Sequence, residues 1–328
     1  MGRYIIRRVL TAIPTLVLIS MVIFSILALA PGDPLSDLAL NPSVPPEVRQ
    51  RIRENLGLED PIPVQYGKWA SSLFTGEFGY SYRTRAPVID LIKQRLPTTL
   101  YVSGLAFLLS ILVAIPIGVL SAVKQYSVFD NVATTMAFIG FSLPTFCTGL
   151  LFILLFTIRL DWFPSIYRST LEGDGLSGLW ERVRQAIMPI TVLALFQAAT
   201  LIRFVRASML ENVHQDYVRT ARSKGLAERS VITRHALRNA LIPVVTIVAL
   251  SVPGVITGAI VTEQIFRVPG MGDLLISSIR NNDTPVVMTI TFMFSILSWS
   301  STWSPTSSTA FSTRGSSTDS RTRAFVHP

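Results

Sequence analysis

Cysteine is nearly missing from this chain of 328 residues: Cys147 stands alone, inside an apolar stretch. An intramolecular disulfide is therefore excluded, and thiol redox chemistry has no pair to work with. Histidine is scarce as well. His214, His235 and His327 lie far apart, without the spacing that metal ligands need. No G-x-x-x-x-G-K-[ST] phosphate loop occurs, so the chain is not expected to bind ATP in that manner, and no serine sits in G-x-S-x-G. Charge is the last shortage: 15% of residues are Asp, Glu, Lys or Arg, while 49% are hydrophobic. No catalytic residues and no metal site are legible, and the balance is that of an integral membrane protein.

What the chain has is long apolar sequence. About 20 apolar residues in a helix cross a hydrocarbon core of about 30 Å. Five segments meet that length: Val9–Ala30, Thr98–Val123, Val132–Ile158, Ala186–Phe204 and Leu241–Thr262. A sixth begins at Pro285 and stops early at Leu297. The expected fold class is all-α, a polytopic membrane helix bundle lying in a lipid bilayer.

The net charge of +9 is distributed by loop. Arg3, Arg7 and Arg8 precede the first span, Lys124 follows the second, and from Arg203 to Arg238 there are eight basic residues against three acidic. That is the positive-inside pattern, which places the N-terminus and the 205–240 loop in the cytoplasm of a multi-pass plasma (inner) membrane protein. The same placement argues against nucleic acid as a partner. Segment 31–97 carries eight acidic and eight basic residues, and 159–184 carries four of each beside Trp162, Phe163, Tyr167 and Trp180. Both belong outside. Ala28-Leu29-Ala30 resembles a signal-peptide cleavage point, but the apolar run is long and Pro31 follows directly, so a retained anchor is expected.

Four regions follow: 1–30, the N-terminal end and first span; 31–97, an extracytoplasmic helical insert; 98–297, the transmembrane core with a polar loop at 209–240; and 298–328, a Ser/Thr-rich tail. Within the insert, Pro45-Pro46 opens a helix stopped by Gly57, Pro63 opens another ending before Gly76, and Pro87–Arg95 makes a third ended by Leu96-Pro97. The spans are interrupted by Pro116 and Gly118, by Gly140 and Pro144, and by Pro243, Pro253, Gly254 and Gly258, while Pro189 opens the fourth. Such punctuation favours a path or moving parts over a simple anchor. Pro144, Pro253, Gly254, Gly258 and Glu263 are the candidate pore or gating residues. Glu263, at the outer end of the fifth span, is close enough to the interface to be solvated. Gln197 is the other notable polar residue, and no buried Asp/Glu/His relay serves a proton-coupled carrier.

The basic segment from Glu211 to Pro243 is too polar for a bilayer and too patterned for a connector. Glu211–Lys224 predicts a helix with Val213, Tyr217, Val218 and Ala221 on one face and Arg219, Arg222 and Lys224 opposite. Gly225 breaks it, and a second helix starts near Glu228 with Val231, Ile232, Ala236 and Leu237 apolar. On periodicity alone a basic helix on the membrane surface is the favoured reading.

The stretches Asp216-Tyr-Val-Arg-Thr-Ala-Arg-Ser-Lys-Gly-Leu226 and Arg234-His-Ala-Leu-Arg-Asn-Ala-Leu-Ile-Pro243 closely resemble the cytoplasmic loop of ABC-importer permeases. So do Leu56-Gly-Leu-Glu-Asp-Pro-Ile-Pro-Val-Gln-Tyr66, Gly76-Glu-Phe-Gly-Tyr-Ser-Tyr82, Arg95-Leu-Pro-Thr-Thr99 and Thr262-Glu-Gln-Ile-Phe-Arg-Val-Pro-Gly-Met-Gly272. The nearest resemblance is to B-type permeases of the dipeptide, oligopeptide and nickel group, over residues 1 to about 297. It implies a type I importer fold and a coupling helix docked on an ATP-binding subunit. The docking residues would be Asp216, Tyr217, Arg219, Thr220, Ala221, Lys224, Gly225 and Leu226. Arg219-Thr220-Ala221 stand where the general pattern has Glu-Ala-Ala, so no particular salt bridge carries over. Also implied are a second, C-type permease subunit, two ATPase subunits that hold ATP and Mg, and an external binding protein. This chain would bind no cofactor and would not itself be an enzyme. Peptide is the implied substrate, with nickel or glutathione as alternatives; a secondary carrier or an anchored receptor are the rivals from other classes.

Members of that group finish a sixth span and end in Leu-Asp-Pro-Arg. Here sixteen of the last 31 residues are Ser or Thr. Permitted codons for Ser298–Gly315, regrouped one base out of frame, encode an apolar span ending in Leu-Asp-Pro-Arg. A sixth span truncated or frameshifted is therefore expected, with 298–328 an aberrant tail.

Overall fold

The computed structural model describes residues 2–30, 35, 45–168, 176–257 and 260–301, and every regular element among them is a helix. In chain order these are α1 (Gly2–Leu29), α2 (Pro46–Asn55), α3 (Ile62–Thr75), α4 (Val88–Val123), α5 (Val128–Ser142) and α6 (Thr145–Arg159). There follow α7 (Leu176–Val213), α8 (Asp216–Ser223), α9 (Glu228–Thr257), α10 (Ile260–Phe266), α11 (Met271–Arg280) and α12 (Thr284–Ser301). Four of them, α1, α4, α7 and α9, are long and apolar enough to cross a membrane, and α5 with α6 passes the same test only as a pair, bent by 101° at the break. The chain is a multi-pass membrane protein. The expected sixth span corresponds to α12, which continues past Leu297 to Ser301 but holds only a short apolar stretch. Residues 302–328, where the aberrant tail was expected, lie outside the described residues.

Two prolines expected at helix boundaries lie inside helices instead. Pro97 sits within α4, so the third helix of the insert and the second span are one element running across residue 97. Pro189 sits within α7, which starts at Leu176, ten residues before the expected span start at Ala186. Each proline removes one backbone donor, but where water is excluded every other helical hydrogen bond is too valuable to break. Pro144 does interrupt its span. It forces Leu143 out of the helical region, to φ −80 and ψ 125, and the chain turns there between α5 and α6.

The centre of the bundle is α4 lying along α7, with α5 and α9 against α7, α1 against α12, and α10 between α6 and α11. Gly118 makes the central contact close. A Cβ there would stand 2.7 Å from Val205 Cβ and 3.0 Å from the Ile202 carbonyl oxygen. The outer surface is apolar in turn: Leu10, Leu18 and Ile26 of α1 and Leu108 and Leu112 of α4 are exposed. That arrangement suits a bilayer, where the backbone is satisfied within each helix and apolar side chains face outward.

The insert is tied to the spans. Gly57 and Gly76 stop α2 and α3 with positive φ, as the sequence predicts. From α3, Tyr66 meets Phe24 of α1 edge-on at 5.5 Å and hydrogen-bonds Ser20 at 2.9 Å, while Trp69 meets Phe292 of α12 at 5.8 Å. The Ser81 hydroxyl donates to Asp283 Oδ2 at 2.5 Å and the Tyr82 N–H to Oδ1 at 3.0 Å, fastening the insert to the head of α12. Burial, and then the Asp283 charge, push the Tyr82 phenol up to about 12, so it stays neutral.

Gly118→Ala should lower the thermal unfolding midpoint of the purified assembly, since overpacking of a tight contact costs about 1–3 kcal/mol. Gly67→Ala on α3, where a Cβ meets nothing within 4 Å, should leave it unchanged. Equal midpoints for both variants would count against the central contact.

Candidate functional site: the basic loop and the polar row beside it

The 209–240 loop is built as a bracket on the end of α7. Helix α7 runs to Val213; the chain breaks at His214-Gln215, earlier than the single helix expected from Glu211, and α8 starts at Asp216. Gln215 is extended at φ −72 and ψ 153, the usual geometry ahead of a helix, and Asp216 places its charge in the first turn, where the helix dipole favours it. The Tyr217 hydroxyl donates to Asn212 Oδ1 at 2.7 Å across the break.

Val218 and Ala221 of α8 are buried against Val205 and Met209 of α7, Ala122 of α4, and Val231, Ala236 and Ala240 of α9. The rest of α8 faces away. Asp216, Tyr217, Arg219, Thr220, Lys224, Gly225 and Leu226 are exposed, as a docking surface requires. Two expectations change. Ala221, expected both on the apolar face and among the docking residues, is an inward anchor and not part of the outer face, and Tyr217 is on the exposed side rather than the buried one.

Gly225 ends α8 at φ +74, with its N–H donating to the Arg222 carbonyl at 2.9 Å. A Cβ there meets nothing within 4 Å, so its backbone conformation, and not crowding, is what calls for glycine. Across that turn the Arg222 guanidinium grips Glu228, Nη2 to Oε1 at 2.8 Å and Nε to Oε2 at 3.2 Å. The Ser208 hydroxyl donates to the Ala240 carbonyl at 2.7 Å, joining α7 to α9. The loop is thus held on three legs.

A buried ion pair lies next to it. Asp130, 2% exposed, accepts from Arg206 Nε at 2.7 Å and Nη2 at 2.8 Å, from the Tyr126 N–H at 2.9 Å and from Ser121. Ser121 closes α4, Asp130 opens α5 and Arg206 belongs to α7, so one carboxylate fixes three helices at the loop's base. Residue reasoning missed it. The available signal was Ser127, three residues ahead, whose hydroxyl caps the Asp130 N–H.

The candidate pore residues separate. A cavity of about 550 Å³ between α7 and α9 is lined by Gln197, Thr200, Ser251 and Gly254, with Phe107, Phe196 and Thr262 among the rest. Among the described candidates, Gly254 alone lines it. Pro253 is buried in packing, and Pro144 is exposed at the bend beside Thr145 of the lining. Gly258 lies outside the described residues.

Glu263 is a correction: it is 2% exposed rather than solvated. Its Oε1 accepts from the Thr99 hydroxyl at 2.9 Å and its Oε2 from the Asp273 N–H at 2.9 Å, while Thr99 accepts from the Met271 N–H at 2.7 Å. Gly270 wraps so closely that a Cβ would stand 2.2 Å from Oε1. Glu263 therefore ties α4, α10 and α11 together. The two motifs that hold it, around Thr99 and around Gly270, are far apart in sequence.

Two family models match the chain. One, described as binding-protein-dependent transport system inner membrane component, matches residues 114–309, running past Leu297; its N-terminal companion matches residues 1–103. The oligopeptide transport system permease protein AppB of Bacillus subtilis is 42% identical over 90% of this chain and 93% of its own length. A putative peptide transport system permease protein of Brucella abortus is 41% identical over 88% of this chain and 90% of its own. A probable peptide ABC transporter permease of Sinorhizobium fredii is 37% identical over 90% and 93%.

Removing one partner of a buried ion pair leaves the other uncompensated. Arg206→Ala should therefore destabilise the assembly by about 3 kcal/mol, the low end of the range because the pair lies near the edge of the bundle. Chemical denaturation followed by tryptophan fluorescence measures this, and a loss below about 1 kcal/mol would mean that the pair does not hold the helices.

Proposed function

This chain belongs to the family of binding-protein-dependent transport system inner membrane components, and we propose that it passes peptides as half of the translocation path of an ATP-driven importer. The other half is a second, C-type permease subunit, two ABC ATPase subunits dock from the cytoplasm, and an external binding protein delivers peptide on the insert side. ATP and Mg bind in the ATPase subunits; this chain holds no cofactor and catalyses no reaction. The names of its relatives support peptide as the substrate.

The observation that carries the reading is the rigidity and outward face of the basic loop. A helix with two buried anchors, a clipped turn and an exposed face of Asp216, Arg219, Thr220, Lys224 and Leu226 can receive a push without deforming. Closure of an ATPase dimer beneath it would move α8, and through Val218 and Met209 would move α7. The basic character of the loop supports a cytoplasmic side for it and for the N-terminus. The insert then lies outside, next to the binding protein.

Gly225 provides the test. A side chain at its φ of +74 costs about 1–2 kcal/mol, enough to disfavour the docking conformation roughly tenfold. In the reconstituted importer, Gly225→Leu should cut peptide uptake by about that factor while ATP hydrolysis continues. Unchanged uptake would contradict docking through this turn.

A further inference from the structure

Helix α7 carries a polar row at membrane depth that finds no hydrogen-bond partner among the described residues. Gln197, Thr200 and Arg203 follow at three-residue steps, so the row winds along the helix at about 4.5 Å per step. Gln197 and Thr200 line the cavity of about 550 Å³ described above, and Arg203 continues the row one turn beyond it. Arg203 counts as a loop cation in sequence, yet its guanidinium reaches back into the bundle. It lies 5.3 Å from the ring centre of Phe138 and 4.2 Å from that of Phe141. Those residues are ten and thirteen positions into α5 from Val128, roughly 15–20 Å along the helix axis and well inside a core of about 30 Å.

Among the described residues no carboxylate pairs with Arg203, and its Nε is buried without a hydrogen-bond partner. The nearby acid on α5, Asp130, is already held by Arg206. An unpaired cation at that depth is costly, and its usual compensation is a partner that arrives from elsewhere. Two aromatic faces soften the cost and fix the guanidinium in place, but they leave its donors free.

We propose that Arg203 receives the C-terminal carboxylate of the peptide in transit, with Gln197 and Thr200 hydrogen-bonding its backbone, an inference that rests on the peptide reading above. A guanidinium matches a carboxylate as a planar fork of two donors. A path that passes many sequences can hold only what they share, and a free carboxylate is the one charged group that every linear peptide brings apart from its amine. Arg203 is thus a binding residue for substrate, held ready by Phe138 and Phe141.

The test uses the complete importer in proteoliposomes, with its binding protein and a labelled mixture of di- to hexapeptides. Arg203→Met should lower uptake by at least about tenfold, the worth of one charge-assisted pair, and Arg203→Lys should restore only part of it, since an ammonium keeps the charge but not the fork. ATP hydrolysis should stay within about twofold in both, which separates substrate binding from folding and coupling. Uptake by Arg203→Met within about twofold of the unaltered importer would overturn the inference. No uptake by the unaltered importer would instead sink the peptide reading, and this inference with it. Should the methionine variant fail to assemble, the peptide-bound structure of the unaltered importer decides. A peptide carboxylate on Arg203 supports the proposal; an acidic side chain of the second permease subunit on Arg203 overturns it.

Discussion

Gly118 lets α4 lie directly against Val205 and the Ile202 carbonyl of α7, and the other helices take their positions from that pair. Without a side chain at 118 the two backbones come near enough for residues farther along to engage. Ser121 and Arg206 then reach the same carboxylate, Asp130, and bring α5 to the pair. One turn further, Ala122, Val205 and Met209 form the floor on which Val218 and Ala221 of α8 rest. The loop's attachment is thus an extension of the packing between the spans, so that a force applied to α8 would reach α7. In a bilayer, van der Waals fit of this kind is what helices have in place of the hydrophobic effect.

The distribution of polar groups divides the bundle by function. At the basic end Asp130 is satisfied by Arg206, Ser121 and Tyr126. At the opposite end Glu263 is satisfied by Thr99 and Asp273, and Asp283 by Ser81 and Tyr82. Each of these carboxylates fastens elements distant in sequence, and each is a point where the structure resists opening. Between them Gln197, Thr200 and Arg203 remain without partners among the described residues, beside a cavity. Both ends are tied, and the middle is where the proposed peptide contact lies.

The sequence made several of these features legible and concealed others for identifiable reasons. Gly57, Gly76 and Gly225 announce helix ends because positive φ suits glycine, and all three have it. The apolar pattern at Val218 and Ala221 marks the buried face of α8 correctly. Tyr217 misleads because a ring counts as apolar while its hydroxyl seeks Asn212. Pro97 and Pro189 look like boundaries because soluble helices tend to end at prolines, a tendency that weakens where water cannot take the freed groups. Arg203 and Arg206 look like loop cations because a linear count cannot show that long side chains reach toward the start of their helix and into the bundle. Glu263 looks solvated because its partners, Thr99 and the backbone of Asp273, are invisible until α4 and α11 are brought together.

If α8 transmits motion as proposed, the basic loop and α7 move as one body. Spin labels at Ser223 on α8, outside the named docking residues, and Phe204 on α7, both exposed, report this directly in the assembled importer. Their separation, measured by pulsed electron resonance with and without ATP, should stay constant to within about 2 Å while the importer turns over. A change of about 5 Å, one helical turn, would show the loop sliding on its anchors and would contradict the account.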